Sequence, residues 1–285
     1  MSEEVKALEL RHGPLRLALR PDLGGCIAGL WLDDVPVLRS GEPGALTSSR
    51  LSGSYPLLPY SNRLGFRRFR WRGAEHSTRP NFDDNPHSVH GMGWQRPWMV
   101  QSQREDDAVL SLQHPGDADW PFAFEARQAF ALTDGALNCG LSITNRAEQP
   151  QPVGLGWHPY FVKRARSRMH IELSQRWDND ATGLPTRRVE QAGIDGDVAH
   201  MGFDNCFEGW PGHARLRDER LSVRLSSSLP YLVVFTPGTR DYYCVEPVSH
   251  VSNAIHMAEP SQHGLRTLAP GESLEAWMKL EVSKA

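Results

Sequence analysis

The sequence predicts an all-β protein, a large antiparallel β-sandwich, and three observations carry that prediction. Short stretches of alternating apolar and polar residues recur along the chain, separated by turns rich in Gly, Pro, Asn and Asp. No segment holds the spacing of an amphipathic helix through three turns. At 285 residues the chain is long enough to close sheet upon sheet over a substantial core. No internal repeat, low-complexity tract or linker divides it, so residues 1–285 are expected to form a single domain.

Leu15 to Arg20 alternates apolar and charged residues, Pro21 to Gly25 makes a turn, and Cys26 to Leu32 is the second strand of that pair. Ser40 to Gly53 is a loop rich in Gly, Pro and Ser. Phe66 to Thr78 predicts a hairpin turning near Arg72-Gly73, with Phe69 and Trp71 on one face and Arg68, Arg70 and Arg72 on the other. Asn81 to Trp98 is long, polar and irregular, the kind of loop that carries function inside compact domains. A strand pattern from Trp98 to Gln113 breaks at Asp106-Asp107. A second hairpin runs from Phe122 through the Asp134-Gly135 turn to Ile143. Met169 to Leu173 is a short strand and Asp178 to Gly202 mostly loop. Arg215 to Leu225 alternates about an Asp218-Glu219 turn, Tyr231 to Thr236 is an apolar strand, and Glu275 to Val282 is the last. Between these two lies Asp241 to Asn253, whose β-branched and aromatic run delivers Glu246. Because Pro247 cannot donate to a ladder, that strand is expected to end near Glu246, leaving the carboxylate at a sheet rim.

Composition narrows the function classes. An apolar fraction of 39% and a charged fraction of 23% belong to a globular, not a disordered, chain. A net charge of −3 gives no general attraction to nucleic acid or to an acidic membrane, so neither is an expected partner. No run approaches the roughly 20 apolar residues of a membrane span. The opening Met-Ser-Glu-Glu-Val-Lys lacks the pattern of a secretory signal, and the cytoplasm is the expected compartment. Cys26, Cys139, Cys206 and Cys244 have no metal-ligand spacing and are expected as reduced, buried thiols.

Four polar segments stand out: Pro59-Tyr-Ser-Asn-Arg63, His87-Ser-Val-His90-Gly-Met-Gly-Trp94, Gly156-Trp-His158-Pro-Tyr-Phe161 and Phe203-Asp204-Asn-Cys-Phe207. Each sets a charged or titratable side chain among aromatics, glycine and proline, the composition of a sugar site. With Glu246 they supply a proton-transfer pair. A carboxylate can take a proton from a hydroxyl while an imidazolium gives one to an ether oxygen. Those two acts together open a cyclic hemiacetal. A neighbouring carboxylate is expected to raise the histidine's pKa and keep it charged near neutrality.

In their order and wording, Pro-Tyr-Ser-Asn-Arg63, Pro86-His-Ser-Val-His90-Gly, Gly-Trp-His158-Pro-Tyr-Phe and Cys-Val-Glu246-Pro-Val-Ser resemble the motifs of the aldose 1-epimerases, or galactose-mutarotase-like proteins. The resemblance runs from about Pro21 to the last strand. It implies a β-supersandwich and cofactor-independent interconversion of the α and β anomers of free hexoses. It also implies roles: Glu246 as base, His158 as acid, His90 beside the sugar ring, and Arg63 and Asp204 on sugar hydroxyls. One position departs, since the family's usual Asn three residues before the His-Gly histidine is His87 here. That departure bears on whether galactose is the preferred sugar, not on ring opening.

Other readings stand beside these. His87 is either a sugar ligand or a loop histidine. Trp94, Trp157 and Tyr160 are candidate stacking rings, although aromatic residues are more often core. Asp204 could cap a turn, and Arg63 could stitch a loop. A zinc site of His250 with His87 and His90 lacks an established spacing, and no metal or cofactor is expected. Arg67, Arg68, Arg70 and Arg72 could bind a phosphorylated or sulfonated sugar, or simply form a solvated strand face. A mutarotase for such an anionic sugar and a non-catalytic sugar-binding protein are the alternatives to a free-hexose mutarotase.

Overall fold

The computed structural model describes residues 7–285. Its body is a nine-stranded antiparallel sheet packed on an eight-stranded one. The larger sheet contains the hairpin Phe124–Thr133 and Ala136–Asn145, whose ten residue pairs run in unbroken register, with Ser273–Lys284 alongside. The inward rows of these strands, Phe124, Ala126, Phe130 and Leu132 facing Leu137, Cys139, Leu141 and Ile143, enter the main apolar core, as their alternation predicts. The predicted turns at Asp134-Gly135, Asp218-Glu219 and Arg72-Gly73 all form. The only helices among the described residues are short 3₁₀ turns, none long and apolar enough to cross a membrane.

The eight-stranded sheet has two faces of different character. Val234, Leu232, Tyr243, Val245, Trp157 and Phe207 point into the main core. The alternate residues Tyr55, Tyr160, Cys206, Val233 and Cys244 form a second buried cluster on the opposite face. Polar side chains that share this second face come from the same strands, one residue out of phase with the core.

Two expectations are corrected. Asp178 to Gly202 carries more strand than expected: Gln175–Asn179, Pro185–Glu190 and Ile194–Asp197 extend the sheets. Pro185–Glu190 is an edge strand with mostly exposed side chains, so backbone pairing defines it and no apolar alternation reveals it. The strand carrying Glu246 runs Tyr242–Val248, through Pro247, and Glu246 is interior and 2% exposed instead of lying on a rim. Pro247 is tolerated because the strand beside it is itself interrupted. Tyr160 pairs with Cys244 and Gly156 with Val248, but Trp157 to Pro159 make no ladder pairs to this strand. Pro159 and Pro247 remove an N–H from each side of that gap.

The loop after the second core strand is held by close backbone approach. Leu58 pairs with Gly91, and the N–H groups of Met92 and Gly93 both donate to the Leu58 carbonyl, at 3.0 and 3.2 Å. Gly91 has φ of +67°, and a Cβ there would sit 2.0 Å from the Leu58 oxygen. Gly91→Ala should therefore destabilise the fold by more than about 2 kcal/mol in denaturant unfolding. Gly41→Ala, where nothing lies within 4 Å, should stay within about 0.5 kcal/mol of the parent.

Candidate active site

The register of the eight-stranded sheet assembles the site. Extending the Tyr160–Cys244 and Gly156–Val248 pairs inward places His158 opposite Glu246, across the gap in the ladder. On the far side of His158, the Pro56–Trp157 pair puts Tyr55 opposite it, and the His158 N–H donates to the Tyr55 carbonyl at 3.1 Å. Glu246 in turn faces Val233, and Val233 faces Cys206. Tyr55, His158, Glu246, Val233 and Cys206 thus form one row. Tyr160, Cys244, Phe235 and Asp204 form the next. Strands alternate sides with period two, so all point to the same face.

Over these rows lies a cavity of about 570 Å³, lined among others by His158, Glu246, Tyr160, Asp204, Arg63 and His90. A groove of about 770 Å³ on the nine-stranded sheet is larger, yet none of the motif residues lines it. His158 Nε2 lies 3.4 Å from Glu246 Oε1, and both side chains are buried. Glu246 Oε2 and His158 Nδ1 are buried without a hydrogen-bond partner, a costly arrangement that needs a reason.

The electrostatics reverse the sequence-based expectation for the histidine. Burial first, and then the positive charge of Arg39, pull His158 down to about 3. Burial, reinforced by Asp204 and opposed by Arg63, pushes the Glu246 carboxyl well above the usual range. The sequence shows a carboxylate near the imidazole but not the desolvation that both groups undergo. Both shifts run the same way, favouring a neutral imidazole and a carboxyl that keeps its proton to higher pH than usual.

His158 packs against Tyr160 (ring centroids 4.4 Å apart, stacked) and Tyr55 (4.8 Å), and meets His90 edge-on at 5.0 Å. Tyr55 and Tyr160 share a hydroxyl hydrogen bond of 3.2 Å, and burial raises both, keeping them protonated. Arg39 lies over the Tyr160 ring at 3.9 Å, its guanidinium donating to the carbonyls of Ser52 and Arg50.

His90 arrives on the long 81–98 loop, which Asn81 pins through hydrogen bonds to Val89 and Gly91. The His90 N–H donates to the Asn62 carbonyl, and the Asn62 N–H donates back to His90 Nδ1 at 3.1 Å. Since Nδ1 accepts, the ring proton is on Nε2. Burial, with the positive charges of Arg63 and Arg50, holds His90 well below its ordinary value, so it is a neutral donor. Asn62 Oδ1 accepts from Arg63 and from Ser252 Oγ, and Arg63 Nη2 reaches Asp204 Oδ2 at 3.2 Å.

The structure thus brings together Glu246, His158, Arg63, His90, Asp204 and Tyr160. It does not bring His87 or Trp94 to the cavity. His87 is fully buried, accepts from the Phe66 N–H through Nδ1 and packs on the Phe66 ring. Trp94 donates from Nε1 to the Val89 and Gly91 carbonyls and packs against Tyr55, beneath the site. Trp157 belongs to the main core. His250 uses both nitrogens, toward the Ser61 N–H and the Val251 carbonyl, and joins no metal-capable group. The arginines of the 66–78 hairpin lie outside the cavity, Arg68, Arg70 and Arg72 on its exposed face. Sequence reading missed Tyr55, Arg39 and Asn62. Among the described residues, the one group able to gather a metal ion is His158, Cys244 and Glu246, with ligand atoms within 4.8 Å of one another.

Comparison with known proteins adds four findings. The profile of the family described as aldose 1-epimerase matches residues 6–281. The uncharacterized protein YphB of Escherichia coli K12 is 32% identical over 96% of this chain and 97% of its own. A crystal structure from the same organism, provisionally assigned as an aldose 1-epimerase, superposes with a TM-score of 0.89 at 31% identity, covering 98% and 99% of the two chains. A galactose mutarotase-like protein of Clostridium acetobutylicum shares the fold, with a TM-score of 0.86 at 20% identity over 100% and 97% of the chains.

Arg39 supplies a test of the electrostatics. In Arg39→Gln the His158 imidazole, followed by NMR, should titrate at higher pH than in the parent, because a positive charge that opposes protonation is gone. Arg39→Lys should restore the parent behaviour. An unchanged or lower titration in Arg39→Gln would contradict the account.

Proposed function

The chain belongs to the aldose 1-epimerase family, and from that premise we propose that it is a cofactor-independent mutarotase for a free hexose. The observation that carries the reading is the buried His158–Glu246 contact of 3.4 Å on the floor of a cavity lined by Arg63, His90 and Asp204. Glu246 takes the proton of the C1 hydroxyl while His158 gives one to the ring oxygen. The open aldehyde turns about C1–C2, and closure on the other carbonyl face reverses the transfers. Arg63 and Asp204, locked to each other, and His90 through its Nε2–H orient the hydroxyls. Tyr160 lines the cavity and stacks on His158, supporting the acid. A bound hydroxyl also gives the unpartnered Glu246 Oε2 its hydrogen bond.

A protonated Glu246 beside neutral His158 and a carboxylate beside an imidazolium contain the same single proton. Moving it across the contact converts the first form into the second, which is the reactive one, so the pH limbs belong to the pair.

A second reading has its own observation. Arg39, Arg50, Arg63 and Arg240 all line the cavity, against the carboxylates of Asp204 and Glu246. That excess suits a phosphorylated or sulfonated hexose. A non-catalytic sugar-binding protein remains the reading that needs no acid–base pair, and the buried pair argues against it.

Optical rotation of fresh α-D-glucose and α-D-galactose should relax faster with the protein. Glu246→Gln should lose about 10²–10⁴-fold of that acceleration while keeping its fold; near-normal turnover would sink the assignment. Faster exchange of glucose 6-phosphate or a sulfonated hexose would select the anionic substrate, and binding without exchange the sensor. The pH profile of kcat/KM should be bell-shaped. Its acid limb, where a second proton enters the pair at His158, should lie well below the ordinary histidine value of 6.5. Its alkaline limb, where the shared proton leaves, should lie above the ordinary carboxyl value of 4.5. An acid limb near 6.5 would contradict the electrostatics described above.

A further inference from the structure

The mechanism leaves one buried nucleophile unused. Cys244 lies between Tyr242 and Glu246 on the cavity-facing side of its strand, opposite Tyr160, and is fully buried and free. Its Sγ, one His158 nitrogen and one Glu246 oxygen all lie within 4.8 Å of one another. Two atoms on these residues, His158 Nδ1 and Glu246 Oε2, are buried without partners. We propose that His158, Cys244 and Glu246 form a binding site for one thiophilic divalent cation, zinc above all, which occupies the acid–base pair and blocks it.

The donor set fits the chemistry. One sulfur, one imidazole nitrogen and one carboxylate oxygen are the ligand types zinc accepts at about 2.0–2.3 Å, and three protein ligands leave a fourth position open. Those bond lengths give tetrahedral edges of about 3.3–3.7 Å. The separation of 3.4 Å between His158 Nε2 and Glu246 Oε1 already matches one edge. The Cys244 Sγ lies within 4.8 Å of the other two donors and must close to about 3.5 Å of each for the cation to bind. Hard cations such as magnesium, which favour oxygen ligands in octahedral array, are poorly served. Binding converts the Cys244 thiol to thiolate and releases its proton to solvent, so affinity rises with pH. A cation held there takes the carboxylate that the base needs and the imidazole that the acid needs. The blocking half of this inference rests on the mutarotase reading; the binding half does not.

Cobalt(II) added to the reduced, metal-free full chain tests it by absorption. The wild type should bind one equivalent and show a thiolate-to-cobalt charge-transfer band in the near ultraviolet. Cys244→Ser should lose the band and weaken cobalt and zinc binding by about tenfold or more. Cys206→Ser, altered at the neighbouring buried thiol, should keep the band, and Cys244→Ala replaces Cys244→Ser if the latter does not fold. Zinc should slow sugar exchange by the wild type in competition with substrate, with Cys244→Ser resistant. No band in the wild type, or equal binding and band in the folded Cys244 variant, would overturn the proposal. Zinc that binds with the band but leaves exchange at its full rate would overturn the blocking. A failure of the mutarotase reading would show separately, as no acceleration by metal-free protein, with the cobalt band intact.

Discussion

The gap in one β-ladder is the constraint on which the rest of this site depends. Pro159 and Pro247 stand on facing strands where neither can donate, and backbone pairing between Gly156 and Tyr160 lapses. The register nevertheless carries across from both ends, so His158 and Glu246 meet side by side without a strand-to-strand hydrogen bond between them. Rigid strands on either side fix the pair more closely than a loop would. Had the strand of Glu246 slipped by one residue, its carboxyl would have turned into the main core.

The same face explains why the pair is electrically unusual. Tyr55, Tyr160, Val233 and Cys244 wall it in, leaving little water near either group. Arg39 bears on the histidine through the Tyr160 ring, and Arg63 with Asp204 bears on the carboxyl from the opposite side. Desolvation dominates both groups, and the nearby charges adjust the balance between them. Around the rim the backbone takes uncommon conformations. Asn62, His90 and Asn253 all have positive φ, held by reciprocal backbone and side-chain hydrogen bonds. Such positions persist only where the surroundings over-determine them.

What could be seen in the sequence was local. The hairpin of Phe122 to Ile143 announced itself by alternation and an Asp-Gly turn. The short motifs around Arg63, His90, His158 and Glu246 held their residues within a few positions of one another. Tyr55 and Arg39 escaped because their importance lies in register and in packing across strands, which no nearby residue signals. His87 and Trp94 carried site-like composition, yet they hold up the loop and do not face the cavity. Pro247 signals a strand end at Glu246 because a single strand gives no hint that its neighbour is also broken there. The histidine's acidity was misjudged for a related reason: a sequence shows which charges are near but not how much water they lose.

The division of labour between sheet and loops has an evolutionary consequence. Glu246 lies on a strand and His158 in the two-residue break between two short ones, both in a sheet whose alternate residues are core, whereas Arg50, Phe82, His90 and Arg240 reach the same cavity from outside those strands. Mutations in the connecting segments can reshape what enters the cavity while the buried His158–Glu246 pair stays fixed. A lineage carrying this scaffold can explore new sugars one loop at a time, without passing through an ancestor that has lost its chemistry.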